Sequence, residues 1–113
     1  MNVTAESYGH AIILNLRGEL TEDSLVALRQ MVDHHLSAGE VVDLVLNMEQ
    51  VPFIDSACLE YLLDLQDRLA EKFGQVKLTN CDPNVMKILE MTHLTTSFEI
   101  LRDVAEAVKA IQV

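Results

Sequence analysis

Tryptophan is absent from the 113 residues, and the only aromatic side chains besides histidine are two tyrosines and three phenylalanines. So few flat side chains give no basis for a stacking site for bases or sugars. The core should instead be aliphatic, built from Leu, Val, Ile and Met. Basic residues are also scarce, 8 against 18 acidic ones, for a net charge of −10. A nucleic-acid backbone would be repelled rather than gathered, so direct nucleic-acid binding is not expected and the charge suits basic protein partners. The two cysteines, Cys58 and Cys81, lie far apart and in no paired-ligand spacing, which gives neither a zinc signature nor a disulfide framework. A reducing cytoplasm is therefore the expected location. The amino terminus lacks a basic region followed by an apolar run, and no apolar stretch approaches the ~20 residues of a membrane span. Export by a signal and membrane insertion are both unexpected.

Catalytic signatures are missing too. There is no glycine-rich phosphate loop, no paired acidic cluster after the first strand, and no histidine placed in sequence to activate a serine. An enzyme is not expected, and neither a cofactor nor a metal is called for.

What is present reads as a single domain over residues 1–113, a length at which about two thirds of the unfolded chain's surface can be buried. Asn2 to Ser7 and His10 to Leu16 form two short strands around Tyr8-Gly9, since Ile12, Leu14 and Leu16 alternate with Ile13, Asn15 and Arg17. After Gly18-Glu19-Leu20, Thr21 is placed to cap a helix whose first turn carries Glu22 and Asp23. Leu25, Leu28, Val32 and Leu36 recur at helical spacing, and Gly39 is a natural stop.

The β-branched run Val41 to Leu46 predicts a central strand covered on both faces, with Asp43 near its start or paired. Leu59, Leu62, Leu63, Leu69 and Phe73 form the stripe of a second helix ended by Gly74, with Glu60, Asp64, Asp67, Arg68, Glu71 and Lys72 largely on its wet side, where the acidic positions, with the Ser56 loop, have contact with a basic partner as their alternative use. Gln75 to Thr79 is the next strand. Asp82-Pro83 starts a third helix through Val85, Met86 and Leu89. Phe98 to Leu101 is a short last strand, and Asp103 with Glu106 opens a last helix. The order implies an α/β fold: one sheet of mixed strands with an amino-terminal hairpin, parallel central pairs and about four helices against it.

Ser56 falls where the central strand hands over to the second helix, the end of a parallel sheet at which ligands and partners bind. Asp55 or Ser56 could simply cap that helix. A phosphate on Ser56 would face the positive end of the helix dipole while adding roughly −1.5 to −2 charge beside Asp55, tolerable to the fold and disruptive to a docked partner.

Val51-Pro52-Phe53-Ile54-Asp55-Ser56-Ala57-Cys58-Leu59, followed by Val76-Lys77-Leu78, by Val85 to Leu94 and by Phe98-Glu99-Ile100, resembles the STAS domain of bacterial anti-sigma-factor antagonists, as does the earlier Gly18-Glu19-Leu20 turn. The resemblance covers almost the whole chain. It implies a partner switch: the unphosphorylated form binds an anti-sigma factor that is also a serine kinase, phosphorylation of Ser56 ends the interaction, and a metal-dependent serine phosphatase restores it. Asp55, Ala57, Cys58, Thr21 and Glu60 are then the positions that flank the phosphosite or touch the partner, and ATP belongs to the kinase.

The sequence departs from the family at Cys58, where glycine is usual, and at Thr21, where an acidic residue is common. Cys58 reads first as a packed cysteine, with a redox-sensitive thiol at a helix start as the alternative. A constitutive STAS adaptor, for instance a subunit of a transporter assembly, is the alternative to a switch. His34-His35 reads as a solvated pair rather than a metal site, His10 and His93 are isolated, and Met86 and Met91 read first as core, with exposure for binding as the alternative.

Overall fold

The computed structural model describes residues 1–37 and 41–111, so the helix stop expected at Gly39 lies outside the described residues. The chain opens with an antiparallel hairpin, β1 (Asn2–Tyr8) and β2 (Ala11–Arg17), whose last pair is Tyr8 with Ala11. Its two-residue turn is Gly9-His10, one position later than the sequence suggested. Gly9 takes φ 58°, the sign that two-residue hairpin loops require at their first position and that glycine adopts without steric cost. Then follow α1 (Leu25–Leu36), β3 (Asp43–Gln50), α2 (Ser56–Ala70), β4 (Val76–Thr79), α3 (Pro83–Met91), β5 (Glu99–Leu101) and α4 (Val104–Ala110). The strands form one sheet in the order β1-β2-β3-β4-β5, antiparallel at the hairpin and parallel elsewhere. Every parallel step carries a helix, as a crossover between parallel neighbours requires.

Alternation along the central strands sorts the helices between the two faces. Ile12, Leu14 and Leu16 of β2 and Leu44, Leu46 and Met48 of β3 bury against α1, α2 and α3 in the main core. Ala11, Ile13 and Val45 point the other way and meet Ala107 and Ile111 at α4 in a smaller core. β3 is thus covered on both sides, which is why its middle reads as an unbroken apolar run. Asp43 is its first residue, and its carboxylate accepts the Gln75 amide at 2.9 Å, so the awkward charge sits at the strand start and is paired. On the α4 side Lys77 is only 3% exposed. Its ammonium donates to Glu99 at 2.6 Å and to Gln75 at 2.8 Å, which satisfies a charge too costly to bury alone.

Beyond the smaller core, the same face of the sheet carries a ladder of carboxamides. Asn80 donates to Asn47 at 3.1 Å, Asn47 to Asn15 at 2.9 Å, and Asn15 to the carboxylate of Glu6 at 3.2 Å. Asn15 and Asn47 are register partners on β2 and β3, so the ladder crosses the sheet at one level.

Helix ends account for the differences from the sequence reading. Asp82 and Asp103 cap α3 and α4 by accepting the amides of Asn84 and Glu106, with Pro83 in the first turn of α3, as expected. Thr21 does not cap α1. The helix starts four residues later, at Leu25, and Ser24 occupies the cap position without a side-chain cap bond. The Ser24 hydroxyl instead accepts the Thr21 amide at 2.8 Å and donates to the Glu19 and Thr21 carbonyls, tying residues 19–24 into a turn.

Phe73 does not belong to the α2 stripe. The helix ends at Ala70, and Phe73 takes φ 64° and is 98% exposed. The Phe73 amide returns to the Ala70 carbonyl and the Gly74 amide to that of Leu69, the paired closure in which the left-handed position is usually glycine. Here glycine stands one residue later for a different reason: a Cβ on Gly74 would lie 1.6 Å from the Val42 carbonyl oxygen. Met91, at the end of α3, is likewise 71% exposed rather than core, whereas Met86 packs against the main core.

These two neighbouring positions should respond oppositely to substitution. Gly74→Ala is expected to destabilise by at least about 1–3 kcal/mol through overpacking. Phe73→Gly should leave stability unchanged or raise it by up to about 1 kcal/mol, because it relieves a left-handed L-residue without emptying any packed space. Urea unfolding of the two variants checks both.

Candidate functional site at the start of the second helix

The site is built where β2 and β3 run out. Past its last ladder pair, the segment from Gly18 stays alongside the segment from Gln50: the Gly18 amide donates to the Gln50 carbonyl at 3.0 Å, Leu20 to Phe53 at 2.9 Å, and Asp55 back to Leu20 at 2.9 Å. Leu20 and Ile54 form a parallel bridge, and both are buried. This rail brings the 19–24 turn against the start of α2.

Asp55 closes it. One carboxylate oxygen accepts the Cys58 amide at 3.0 Å, capping α2, and the other accepts the Glu22 amide at 2.9 Å, 33 residues away in sequence. Those bonds, the one from Cys58 foremost, hold the Asp55 carboxyl below the usual aspartate range.

With the cap role taken by Asp55, Ser56 is left as the first residue of α2, exposed, and its hydroxyl has no hydrogen-bond partner among the described residues. No side chain among them is bonded to it as a base would be. Its setting is acidic and partly apolar. Glu22, Asp23 and Glu60 are exposed around the same end, Thr21 and Ala57 are half-buried, and Phe53 is 42% exposed on the approach to Ser56. The structure thus gathers Thr21, Asp55, Ser56, Ala57 and Glu60 at one end of the sheet.

Cys58 does not crowd that surface. It is fully buried in the main core. Burial, reinforced by the negative charge of Asp55, pushes its thiol up to about 12. A thiol buried in the core, out of reach of solvent, is a packing group, which is the first of the two readings of Cys58. Cys81 is likewise pushed up to about 11 by burial. His34 and His35 contact each other edge to face, with ring centres 5.1 Å apart. Among the described residues no group of three or more His, Cys, Asp or Glu side chains could hold a metal ion, and no helix is long and apolar enough to cross a membrane.

Two features escaped the sequence reading. Phe53 lay inside the motif, but nothing in the sequence showed that it would face outward. Tyr61, which the stripe expected for α2 did not include, is 7% exposed, yet its hydroxyl has no hydrogen-bond partner among the described residues. It lies in the groove between α1 and α2, with the Arg29 guanidinium 5.1 Å from its ring centre.

A five-stranded mixed sheet, with a serine exposed at the helix start after its central parallel strand, defines a class, and residues 2–107 match the model of the STAS domain family. The chain belongs to that family. Among its relatives is an anti-sigma F factor antagonist of Paenibacillus polymyxa, 24% identical over 115 residues that span all of this chain and 98% of the relative. The fold is shared with the anti-sigma factor antagonist SpoIIAA in its unphosphorylated form, with a TM-score of 0.79, 21% identity, and 99% and 100% of the two chains covered. The phosphorylated form of the Bacillus cell fate determinant SpoIIAA gives a TM-score of 0.75 at 20% identity, over 98% of this chain and 100% of that one.

Replacing the Asp55 carboxylate tests how far the site depends on it. Asp55→Ala is expected to cost about 1–2 kcal/mol, the upper range for a lost helix cap, because the Glu22 amide loses its acceptor as well. Since the folded-state carboxyl titrates below its ordinary value of 3.8, its contribution is fully present above that value and is lost as pH falls through the lower folded-state value. Asp55→Asn should therefore show a smaller loss of stability than the wild type on acidification below about pH 4, followed by urea unfolding at stepped pH.

Proposed function

We propose that this protein is an anti-sigma-factor antagonist that works as a phosphorylation-gated partner switch. The observation that carries the reading is Ser56: exposed at the first position of α2, relieved of capping by Asp55 and set in an acidic surround. In its unphosphorylated form the Ser56 end of the domain docks on an anti-sigma factor that is also a serine kinase, which frees the sigma factor. The kinase transfers the terminal phosphoryl group of its own ATP to the Ser56 hydroxyl, and a serine phosphatase later removes it. This protein is the substrate and not a catalyst, needs no cofactor of its own, and acts in the cytoplasm, where free cysteines are at home.

Charge is the lever. The phosphate's roughly −1.5 to −2 charges meet the positive end of the α2 dipole, so the fold tolerates them. They also stand beside Asp55, Glu22 and Glu60, and a partner suited to the unmodified surface must desolvate and oppose them. Asp55 shapes the site through the backbone it pins. Thr21, Ala57 and Glu60 supply the surrounding contact surface. Cys58 contributes from the core, so the departure from glycine adds no bulk to the exposed surface.

The test is to incubate the protein with a purified anti-sigma-factor serine kinase and ATP, and to locate the phosphate by intact mass and peptide mapping. Phosphate on Ser56 alone is expected. None, with a kinase shown to be active on another substrate, would leave the constitutive adaptor as the reading. Ser56→Asp is expected to weaken partner binding at least about tenfold in calorimetry while changing fold stability by less than about 1 kcal/mol. Ser56→Ala should retain binding, and equal affinities for the two variants would overturn the charge mechanism.

A further inference from the structure

The groove between α1 and α2 continues from the Ser56 end, where Glu22, Ala57 and Glu60 line it, to a wider stretch of about 560 Å³ lined by Arg29, Asp33, Tyr61, Asp64, Asp67 and Arg68. Three observations single out this stretch. Its floor holds the Tyr61 hydroxyl, buried and without a hydrogen-bond partner among the described residues, a condition that costs free energy unless something arrives to satisfy it. Its carboxylates outnumber its guanidiniums, and neither Asp64 nor Asp67 has an ion-pair partner among the described residues.

The third observation concerns the cation already there. Arg68 reaches across from α2 to Asp33 of α1 at 3.8 Å, with both side chains more than half exposed. An exposed pair at that distance contributes little and opens easily. Arg29 is differently engaged, lying against the Tyr61 ring. The groove therefore holds its own weakly held guanidinium where an incoming one would sit.

We infer that this stretch of the groove seats one arginine or lysine side chain of the protein partner, which displaces Arg68 from Asp33 and donates a hydrogen bond to the Tyr61 hydroxyl between Asp33 and Asp64. The inference rests on the partner-binding reading above and gives that partner a second, basic anchor farther along α2 from Ser56, in the stretch from Tyr61 to Arg68. Burial, with the Asp33 charge, pushes the Tyr61 hydroxyl up to about 12, so at neutral pH it is an intact hydroxyl with lone pairs free to accept. A basic anchor also suits a chain of net charge −10.

The test needs no kinase. Isotope-labelled protein is titrated with a capped pentapeptide carrying one central arginine between alanines, alongside the same peptide with glutamate, and followed by NMR. Shift changes centred on Asp33, Tyr61, Asp64 and Arg68 are expected for the arginine peptide alone. Tyr61→Phe should weaken its binding about tenfold, in keeping with the loss of a hydrogen bond to a charged group, while unfolding at the same or higher urea concentration because it removes an unpaired buried hydroxyl. Arg68→Ala should tighten binding. Wild-type affinity in Tyr61→Phe, or shift changes spread evenly over the acidic surface, would overturn the inference, as would a loss of stability in Tyr61→Phe, which would show that the hydroxyl already has a partner. The titration uses neither kinase nor phosphate, so failure of the phosphorylation switch and failure of the groove are read separately.

Discussion

The two-oxygen grip of Asp55 is the interaction on which the rest of the site depends. A helix cap ordinarily uses one oxygen to quiet one amide. Here the second oxygen reaches the Glu22 amide, and the turn after β2 becomes part of the same unit as the start of α2. The rail of backbone bonds from Gly18 to Asp55 aligns the two segments, and the carboxylate locks them. Without it the Cys58 and Glu22 amides would both lose their acceptor, and Ser56 would be the nearest side chain able to take over the cap. Pinning by Asp55 is therefore also what leaves Ser56 exposed and unengaged.

Behind that unit, the sheet provides rigidity by an unequal division of labour. Three helices bury against one face and a single short helix against part of the other. The central strand β3 delivers its carboxyl end to the site with both its faces held. Lys77, paired with Glu99 across β4 and β5, anchors the far side. The site thus sits at the end of the central strand, on a helix whose first turn is fastened at its cap and whose Cys58 is in the core.

Much of this was legible in the sequence because it is written in short-range patterns. Strand alternation in β2, the apolar run of β3, and the Asp82-Pro83 and Asp103 starts each express a local rule, and the elements formed where those rules placed them. The misreadings are local rules carried one step too far along the chain. Thr21 fits a cap, but the Ser24 hydroxyl ties the turn and delays the helix. Phe73 falls four residues after Leu69 and so continues the stripe on paper. The helix had already ended at Ala70, closed by the Phe73 amide on the Ala70 carbonyl and the Gly74 amide on that of Leu69. The motif sits at the start of α2, with Asp55 as the cap and Ser56 as its first residue, but nothing near them in sequence shows that Asp55 reaches Glu22. The unpartnered Tyr61 hydroxyl was equally hidden, since nothing in the sequence around Tyr61 marks it.

The carboxamide ladder from Asn80 through Asn47 and Asn15 to Glu6 has a consequence for how molecules of this protein meet one another. Each amide donates in the same direction, and the last bond falls on a carboxylate, so fixing one amide's orientation fixes the next. Asparagine is a poor strand residue, yet two neighbouring strands carry it at one level, where apolar residues would have extended the smaller core past the reach of α4. Such an extension would present a flat, greasy sheet face to the solvent, beside an edge strand, in a chain half of whose residues are hydrophobic. The ladder keeps that face wetted and self-satisfied, and so acts against sheet-to-sheet adhesion between copies.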